Sequence, residues 1–280
     1  MRECSSRDGV FPERFSNTLK IRHTILKNIR SFFDSKGYLE VETPLRVRCP
    51  CMDPYIDALE AGDGFYLSTS PEFHMKRLFA LDIDCMYQIT RAFRAEEQGR
   101  HHNAEFTMLE WYRRGTDYLG ILEETEDLIR FLASALEGSG VVWQFPFERE
   151  TVGQLYKQQA GWDPCSTWDE DRYFRDWVEK IEPYLHSLRG IFLLDFPSPL
   201  AALSKIHRDN PAVCERFELF MDGIEIGNAF TELTDYREHE VRFQTTREKR
   251  RAMNKPTYPV DELFMQSIRS GCMQETGGIA

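Results

Sequence analysis

The chain of 280 residues is predicted to have an α+β fold, because helix-like and strand-like segments follow one another in mixed order. Residues 14–36 carry apolar side chains at helical spacing, and Gly37 follows where a helix would end. Residues 215–221 and 224–231 have strand-like patterns, and the Asp-Gly dipeptide at 222–223 between them is a strong signal for a β-hairpin. Helices together with antiparallel strands therefore indicate the α+β class.

The remaining elements follow from the same kinds of pattern. Residues 38–44 alternate as a strand does and end at Pro44, whose nitrogen cannot donate to a central ladder. Residues 138–190 mix glycine, aromatic and charged residues with weak periodicity, and they are interpreted as an inserted, mostly helical segment. Further strands are predicted at residues 64–68, 86–90 and 105–112, and further helices at residues 71–81, 118–136 and 236–254. With no repeats or long linkers, residues 1–280 are expected to form a single domain.

Composition and charge argue against a membrane protein and against a protein that grips long nucleic acids. The apolar runs are far shorter than the roughly 20 residues of a membrane-spanning helix, and no signal pattern opens the chain, so a cytoplasmic protein is expected. The formal net charge is −11, whereas a nucleic-acid-binding protein usually has a basic face. A basic run at residues 247–251 is interpreted either as a contact for an acidic partner or as the solvated face of a helix.

The seven cysteines are odd in number and scattered, which is typical of reduced thiols rather than of a disulfide framework. Cys49 and Cys51 form the one close pair, and no second pair of cysteines or histidines follows at the spacing of a zinc site. A loop that carries two thiols is therefore favoured over a metal site.

Three segments place charged residues where a core would favour apolar ones, as expected for a polar pocket on a sheet. The first contains Ser70, Pro71 and Glu72, with Lys76 and Arg77 after them, at a predicted strand-to-helix junction. The free backbone amides of such a junction could hold an anion. A Ser-Pro-Glu sequence is also typical of the start of a helix, so this segment by itself is a weak signal.

The second segment, residues 91–112, combines two strands with a charged loop between them. Arg94 offers a fork of donors suited to a phosphate and a carboxylate, Phe106 a ring on which a base could stack, and Glu110 a charge for an amine. The alternative is an exposed hairpin with ion pairs, which would contribute little energy. The number of charged residues within the strands favours a functional site.

The third segment, residues 216–235, carries Glu218, Glu225 and Glu232 at seven-residue intervals. Glu218 and Glu225 flank the predicted turn, so the hairpin could set them side by side as a cradle for magnesium that escorts phosphates. Without a metal, the two carboxylates would repel each other and shift each other's pKa. The alternative is a set of unrelated acids on an edge strand.

Together these segments resemble a known family. Residues 93–97 (Phe-Arg-Ala-Glu-Glu) and 103–112 (Asn-Ala-Glu-Phe-Thr-Met-Leu-Glu-Trp-Tyr) resemble motif 2 of the class II lysyl-tRNA synthetases, and the strand that ends at Pro44 resembles their motif 1. The third segment resembles their magnesium- and lysine-binding strands. The joint match extends over most of residues 15–280 and implies a class II aminoacyl-tRNA synthetase-like antiparallel sheet flanked by helices. It also implies a single catalytic domain, the use of ATP and Mg²⁺, and a homodimer with two-fold symmetry.

The resemblance further implies roles for individual residues. Arg94 and Glu225 would take part in catalysis, and Glu218 and Glu225 would bind Mg²⁺. ATP would be held by Arg94, Glu96, Asn103, Phe106, Glu225 and Ile226. The amino acid would be held by Ser70, Pro71, Glu72, Glu110, Tyr112, Asn228 and Glu232. Such an acid-lined pocket would select a diamine such as lysine, because a neutral amino acid would leave buried carboxylates unpaired.

The expected acceptor is a protein rather than tRNA. About fourteen residues precede the first predicted helix, whereas the synthetases carry an anticodon-binding barrel there, so no tRNA anticodon-binding module is expected. The chain is similar to the bacterial elongation factor P lysine ligases. This similarity implies activation of lysine or (R)-β-lysine as the aminoacyl-adenylate and transfer to a lysine side chain of elongation factor P. A catalytically impaired lysine-binding regulatory dimer and an enzyme that acts on tRNA are the alternatives.

The chain departs from the family pattern in two places. Relatives continue beyond a segment like residues 277–280 into motif 3, a helix whose arginine holds the γ-phosphate of ATP. That helix is absent from the chain, so the chain is expected to be cut short, with loss of activity as the alternative. Gly227 stands where the ligases have alanine and the synthetases have glycine, which leaves the choice between lysine and (R)-β-lysine open.

Overall fold

The fold is seen in a computed structural model, which describes residues 13–95, 97, 99, 101–136 and 143–280. Within those ranges, a sheet of eight strands is covered by helices on both faces, which confirms the predicted α+β class. No helix in the described part of the chain is both long and apolar enough to cross a membrane. The strands are β1 (Leu39–Glu40), β2 (Arg46–Val47), β3 (Tyr66–Leu67), β4 (Cys85–Phe93), β5 (Glu105–Arg114), β6 (Glu148–Thr151), β7 (Gly190–Pro197), β8 (Val213–Met221), β9 (Ile224–Thr231) and β10 (Thr276–Ile279). The α-helices are α1 (Glu13–Ser35), α2 (Glu72–Arg77), α3 (Tyr118–Ala135), α4 (Val152–Ala160), α5 (Glu170–Asp176), α6 (Glu182–Leu185), α7 (Tyr236–Ala252) and α8 (Glu262–Arg269).

The strand order of the large sheet is β1-β4-β5-β10-β9-β8-β7-β6. The outermost pairs, β1 with β4 and β6 with β7, are parallel, and the neighbouring pairs between them are antiparallel. β2 and β3 pair with each other outside this sheet. The strand predicted at residues 64–68 therefore exists as β3, but it does not belong to the large sheet.

The hairpin between β8 and β9 has the two-residue turn that its Asp-Gly dipeptide predicts. Asp222 has φ +49° and Gly223 has φ +76°, so both central residues are left-handed, as a type I′ turn requires. The turn sets β8 and β9 in antiparallel register, starting from Met221 opposite Ile224. The third polar segment of the sequence is thus a hairpin within the sheet.

Helices α1 and α3 cover one face of the sheet through a large apolar core. Phe33 of α1 stacks on Tyr87 of β4 with 4.5 Å between ring centroids, and Trp111 of β5 is buried beside them. Ile121 of α3 is fully buried in the same core. Burial of each such side chain contributes about 1.5–3 kcal/mol, so this core fixes the helices to the sheet.

Helices α2, α7 and α8 pack on the opposite face through a second core. Phe73 of α2 and Phe264 of α8 stack with 4.7 Å between ring centroids, and Phe243 of α7 contacts both rings. Met86 and Tyr112 of the sheet belong to the same core. The polar residues predicted to form the pocket lie on this face, beside α2.

The segment interpreted as a helical insertion contains α4, α5 and α6, which pack on the outer strands through Leu155, Tyr173 and Leu185. The same segment also contributes β6, which pairs in parallel with β7. That strand was not predicted, because the weak alternation of residues 148–151 resembles the polar segments around it. The status of residues 138–190 as an insertion stays a prediction, and residues 138–142 lie outside the described ranges.

Two residues of the basic run at 247–251, Lys249 and Arg250, pair with acids of the same chain, whereas Arg251 is exposed, so its interpretation as a contact for an acidic partner stays a prediction. Arg250 is fully buried, its Nη1 donates to the backbone oxygen of Asp53 at 2.7 Å, and its Nη2 donates to the Asp57 carboxylate at 2.5 Å. Lys249 donates to Glu170 at 2.5 Å. A buried arginine needs such partners for its donors, so this side chain anchors the loop before β3 to the end of α7.

Candidate active site

Strand alternation places the predicted polar residues of β5 on the face that α2 covers, and Glu232 follows directly after β9. On β5, Phe106, Glu110 and Tyr112 share this face, because successive side chains of a strand point to opposite sides. Gly278 of β10 lies between Tyr112 of β5 and Phe230 of β9 in the register. The candidate site is therefore centred on three adjacent strands in the middle of the sheet.

The close packing at the centre of the site requires the two glycines of β10. A Cβ atom at Gly278 would lie 2.3 Å from the ring of Tyr112 and 2.5 Å from Oε1 of Glu232. A Cβ atom at Gly277 would lie 2.7 Å from the backbone oxygen of Asp117, on the opposite face. These glycines let β10 pass between β5 and β9 without displacing the side chains of the site or helix α3.

The structure brings Glu72, Glu110 and Glu232 together around the ammonium of Lys76, and we call these four residues the carboxylate cluster. Lys76 is fully buried, and its Nζ contacts Glu72 and lies 2.5 Å from Oε2 of Glu232. The ring of Tyr112 lies beside the ammonium, with 5.5 Å from Nζ to the ring centroid. Residues from α2, from β5 and from the position directly after β9 therefore meet in one buried group.

Ser70 links the members of the cluster through hydrogen bonds. Its hydroxyl donates to Oε2 of Glu110 at 2.8 Å and accepts from the backbone nitrogen of Glu72 at 3.0 Å. Oε1 of Glu110 accepts from the Tyr112 hydroxyl at 2.6 Å. Pro71 lies between Ser70 and Glu72 and begins α2. The Ser-Pro-Glu sequence thus serves as a helix start and also positions two carboxylates.

The carboxylate cluster has an excess of negative charge. Burial raises the pKa of Glu110 to about 7, and the charge of Glu72 adds to the rise. Burial raises the pKa of Glu232 to about 8, although Lys76 beside it favours the ionised form. Oε1 of Glu232 is buried without a hydrogen-bond partner among the residues that the structure describes. Because three carboxylates share the ammonium of Lys76, a ligand amine would supply positive charge that the cluster lacks.

Arg94 lies on the aromatic side of the site, where its guanidinium is also 3.5 Å from the carboxylate of Glu97. Its Nε donates to the backbone oxygen of Thr69 at 3.3 Å. Its guanidinium lies 5.2 Å from the ring centroid of Phe106, where a cation and an aromatic face attract each other. Asn103 lies at an exposed position in the loop before β5. Glu96, to which a role was also assigned, lies outside the described residues.

The β8–β9 hairpin carries a second group of acids, whose arrangement depends on a β-bulge. Opposite β8, the pairing passes from Gly227 directly to Glu225, so Ile226 is the extra residue. The bulge places Glu225 and Asn228, which are three residues apart, on the same face as Glu218. The side chain of Ile226 is solvent-exposed and does not join the acids.

Arg216 holds the acids of the hairpin and the neighbouring amide in place. Its Nη2 donates to Oε1 of Glu218 at 2.5 Å, and its Nε donates to Oδ1 of Asn228 at 3.1 Å. Burial raises the pKa of Glu218 to about 8, and repulsion from Glu225 adds to the rise. No group of three or more metal-binding side chains occurs within the described ranges, so the hairpin offers two carboxylates for a cation.

A family model for tRNA synthetases of class II (D, K and N) matches residues 9–280 of this chain. The chain belongs to this family. Membership confirms the predicted class II synthetase-like sheet flanked by helices, and it implies the use of ATP.

Three bacterial proteins named elongation factor P–(R)-β-lysine ligase are similar to the chain over almost its whole length. The protein from Erwinia tasmaniensis is 37% identical over 95% of this chain and 88% of its own length. Those from Enterobacter sp. (strain 638) and Proteus mirabilis are each 35% identical, over 94% and 95% of this chain and 87% and 88% of their own lengths. These similarities confirm the predicted resemblance to ligases within the class II synthetase family.

No role was assigned from the sequence to three residues of the candidate active site: Lys76, Arg216 and Gly278. Lys76 follows Glu72 by four residues. Because such a spacing on a helix indicates an ion pair, the pairing of Lys76 with Glu72 could have been predicted from the sequence. Arg216 precedes Glu218 by two residues, which puts both on one face of a strand. Gly278 gave no comparable signal, because its role depends on neighbours from two other strands.

Proposed function

We propose that the protein is an ATP-dependent ligase that activates lysine or (R)-β-lysine as the aminoacyl-adenylate. In this proposal, the activated amino acid is transferred to a lysine side chain of elongation factor P. Two kinds of observation support the proposal: the family membership with its similarity to the named ligases, and the carboxylate cluster.

The observation that carries the proposal is the surplus of buried carboxylates around Lys76. An amine of the substrate would pair with Glu232, whose Oε1 lacks a partner among the described residues, and with Glu110. A neutral amino acid of the same size would leave Oε1 of Glu232 buried without a partner, which costs about 1–3 kcal/mol. The cluster therefore favours a cationic amino acid over a neutral one.

The chemistry that we propose needs positioning and charge neutralisation rather than a covalent enzyme intermediate. The carboxylate of the amino acid attacks the α-phosphorus of ATP, and pyrophosphate leaves. Arg94, held by the backbone of Thr69, lies between the carboxylate cluster and Phe106, where it would neutralise charge on the α-phosphate. The acceptor amine then attacks the carbonyl of the mixed anhydride, and AMP leaves.

The hairpin acids are the residues that we propose to hold Mg²⁺. Glu218 and Glu225 share a face, and their mutual repulsion raises the pKa of Glu218 beyond the effect of its burial, which a divalent cation would relieve. Carboxylate oxygens are the ligands that Mg²⁺ prefers, usually with one or two carboxylates and the substrate phosphates completing its shell. When bound, the ion would neutralise phosphate charge.

We also propose that the protein is a homodimer. The first turns of α1, at residues 16–23, are exposed, and Leu19 and Ile21 there have 67% and 41% of their surface accessible. Apolar side chains on an exposed helix are suited to an interface between two copies. Light scattering at micromolar concentration is expected to give the mass of two chains.

The experiment that tests the proposed function is a transfer assay read by intact-protein mass spectrometry. The protein is incubated with ATP, Mg²⁺, elongation factor P and either lysine or (R)-β-lysine, and elongation factor P is expected to gain the mass of one lysine residue. A parallel reaction with an ATP analogue that has a carbon bridge between the α- and β-phosphates is the control, because it cannot release pyrophosphate.

An unchanged mass of elongation factor P with both amino acids would overturn the proposal. The same reaction with tRNA as acceptor tests the alternative, since charged tRNA together with unmodified elongation factor P would indicate a synthetase. Comparison of the two amino acids in the wild type and in Gly227→Ala decides which isomer is used.

A further inference from the structure

We propose that Lys76 is a positioning residue for the recognition of the substrate amine, an inference that rests on the proposed function. Its ammonium holds Oε1 of Glu72 and Oε2 of Glu232, so that both carboxylates turn their other oxygens toward one bound amine. The free oxygen of Glu232, Oε1, is the buried atom without a partner in the described structure.

The ammonium is held from two layers of the fold. Helix α2 carries Glu72 and Lys76 one turn apart on one face, and Glu232 approaches from the sheet side, directly after the end of β9. The rings of Tyr112 and Phe230 lie 5.5 and 5.2 Å from Nζ, and the side chain has no exposed surface. Water therefore cannot replace either carboxylate at the ammonium.

The charge of Lys76 also opposes the rise in pKa that burial causes in Glu110 and Glu232. Without this ammonium, three carboxylates would repel one another in a buried space, and they would take up protons instead. His239 cannot replace the charge, because burial lowers the pKa of its ring to about 4. A protonated cluster would be neutral and would have lost its attraction for an amine. The titratable groups whose charges act within the cluster are Glu72, Glu110, Glu232, Tyr112, Cys51, Lys76 and His239.

The test compares two substitutions that separate charge from hydrogen bonding. Lys76→Met fills the space without a charge or a donor, whereas Lys76→Gln retains donors without the charge. Lys249→Met is the matched control, since it removes a lysine whose carboxylate partner, Glu170, lies away from the cluster. Calorimetry measures binding of lysine, of its neutral analogue norleucine and of ATP to each full-length protein at several pH values.

Both substitutions at Lys76 are expected to weaken lysine binding by tenfold or more near pH 7, with partial recovery at higher pH, where the acids ionise again; tenfold corresponds to about 1.4 kcal/mol. The preference for lysine over norleucine should fall by a similar factor. Binding of ATP should stay within about twofold of the wild type, as should all binding by the control. Lysine binding and pH dependence equal to those of the wild type in either folded variant would overturn the proposal.

A purely structural role predicts a different result. In that case the two variants would lose ATP and lysine binding together and would unfold at lower denaturant concentration, which also overturns the proposal. If the wild type bound no lysine, the proposed function would fail, and ¹³C NMR titration of the glutamate side chains would then decide the role of Lys76. In that titration, the cluster carboxyls of Lys76→Gln should ionise at higher pH than those of the wild type, and unchanged titration curves would contradict the inference.

Discussion

The carboxylate cluster and the β8–β9 hairpin each combine glutamates with one basic side chain, yet they differ in burial and balance. In the cluster, Glu232 and Lys76 have no more than 1% of their surface accessible, and the acids outnumber the cation. In the hairpin, Arg216 pairs with Glu218, while Glu225 reaches solvent. One group of acids is enclosed, and the other is open on one side.

This difference indicates what each group can bind. An enclosed set of carboxylates excludes water and favours an organic cation whose apolar stem fills the space, because each charge must be matched by a partner inside the protein. An open pair of carboxylates suits a cation that retains part of its water shell, such as Mg²⁺. Glutamates on one sheet can therefore suit two kinds of cation, according to their exposure to solvent.

Replacing Glu232 with glutamine is expected to have the largest effect on the enclosed group. The amide retains the shape but removes the charge that faces both Lys76 and the substrate amine, which should cost about 3 kcal/mol, or roughly 100-fold in lysine binding. Calorimetry measures this loss, and ATP binding should be unchanged. Glu240→Gln, at an exposed position of α7, is the control. Equal lysine affinity in Glu232→Gln and the wild type would mean that the amine binds elsewhere.

Gly278→Ala is expected to have the next largest effect, through crowding rather than charge. The added Cβ would lie 2.3 Å from the ring of Tyr112 and 2.5 Å from Glu232, so these side chains must move, at a cost of about 2 kcal/mol in the free energy of unfolding. Urea denaturation measures this cost. At Gly227, a Cβ would meet the flexible end of Ile279 at 3.2 Å, so Gly227→Ala should change stability by about 1 kcal/mol at most. Similar stability losses in the two variants would contradict the close packing described for β10.

The affinity for lysine is expected to rise by well over tenfold between about pH 6 and pH 9 and to level off only above the pKa of Glu232, which is about 8. The pKa values of Glu110 and Glu232 are raised to about 7 and about 8, mainly by burial, so both acids must lose protons before they pair with an amine. Calorimetry in two buffers of different ionisation heat should detect released protons. The raised pKa values of Glu110 and Glu232 also predict the pH dependence of stability. The free energy of unfolding of the unliganded protein should fall as the pH rises from the ordinary pKa of a glutamate toward 8. Proton uptake on binding would reverse the sign and reject this account.

Glu225→Gln is expected to have the smallest effect, because its carboxylate meets solvent. The Mg²⁺ concentration for half-maximal pyrophosphate exchange should rise roughly fivefold, or about 1 kcal/mol, while the affinity for lysine stays the same. A loss of lysine affinity with unchanged Mg²⁺ dependence would remove the distinction between the enclosed and the open acids.

Local patterns in the sequence predicted the elements whose formation depends on near neighbours. The Asp-Gly turn at 222–223 and the amphipathic helix of residues 14–36 appear in the structure at the predicted places. Strand β10 was not predicted, since its Thr-Gly-Gly-Ile sequence has low strand propensity and forms a strand because β5 and β9 supply partners on both sides. Helix α8 was not predicted either, although Asp261 caps it through its side chain.

The polar site could be predicted only in part, because some of its features follow from local sequence and others from contacts between distant elements. Charged residues within strand-like segments, together with the family resemblance, predicted Glu110 and Glu232 as members of a pocket, and the structure brings both to the cluster. The charge balance of the pocket could not be predicted, because it depends on the burial of Lys76 between elements that are distant in sequence. Likewise, the arrangement of Asn228 with the hairpin acids depends on a bulge that no residue pattern marks.

The buried Arg250 at the end of α7 also matters for the nucleotide side of the site, which it does not touch. Its guanidinium secures the loop that contains Asp57, and the backbone oxygen of Asp57 accepts from the backbone nitrogen of Ala95 at 2.7 Å, directly after Arg94. The position of Arg94, which we propose to face the α-phosphate, is therefore tied to a residue more than 150 positions later in the chain. Under that proposal, loss of the Arg250 side chain itself would change ATP binding through the backbone alone, without altering a side chain that we propose to contact a ligand.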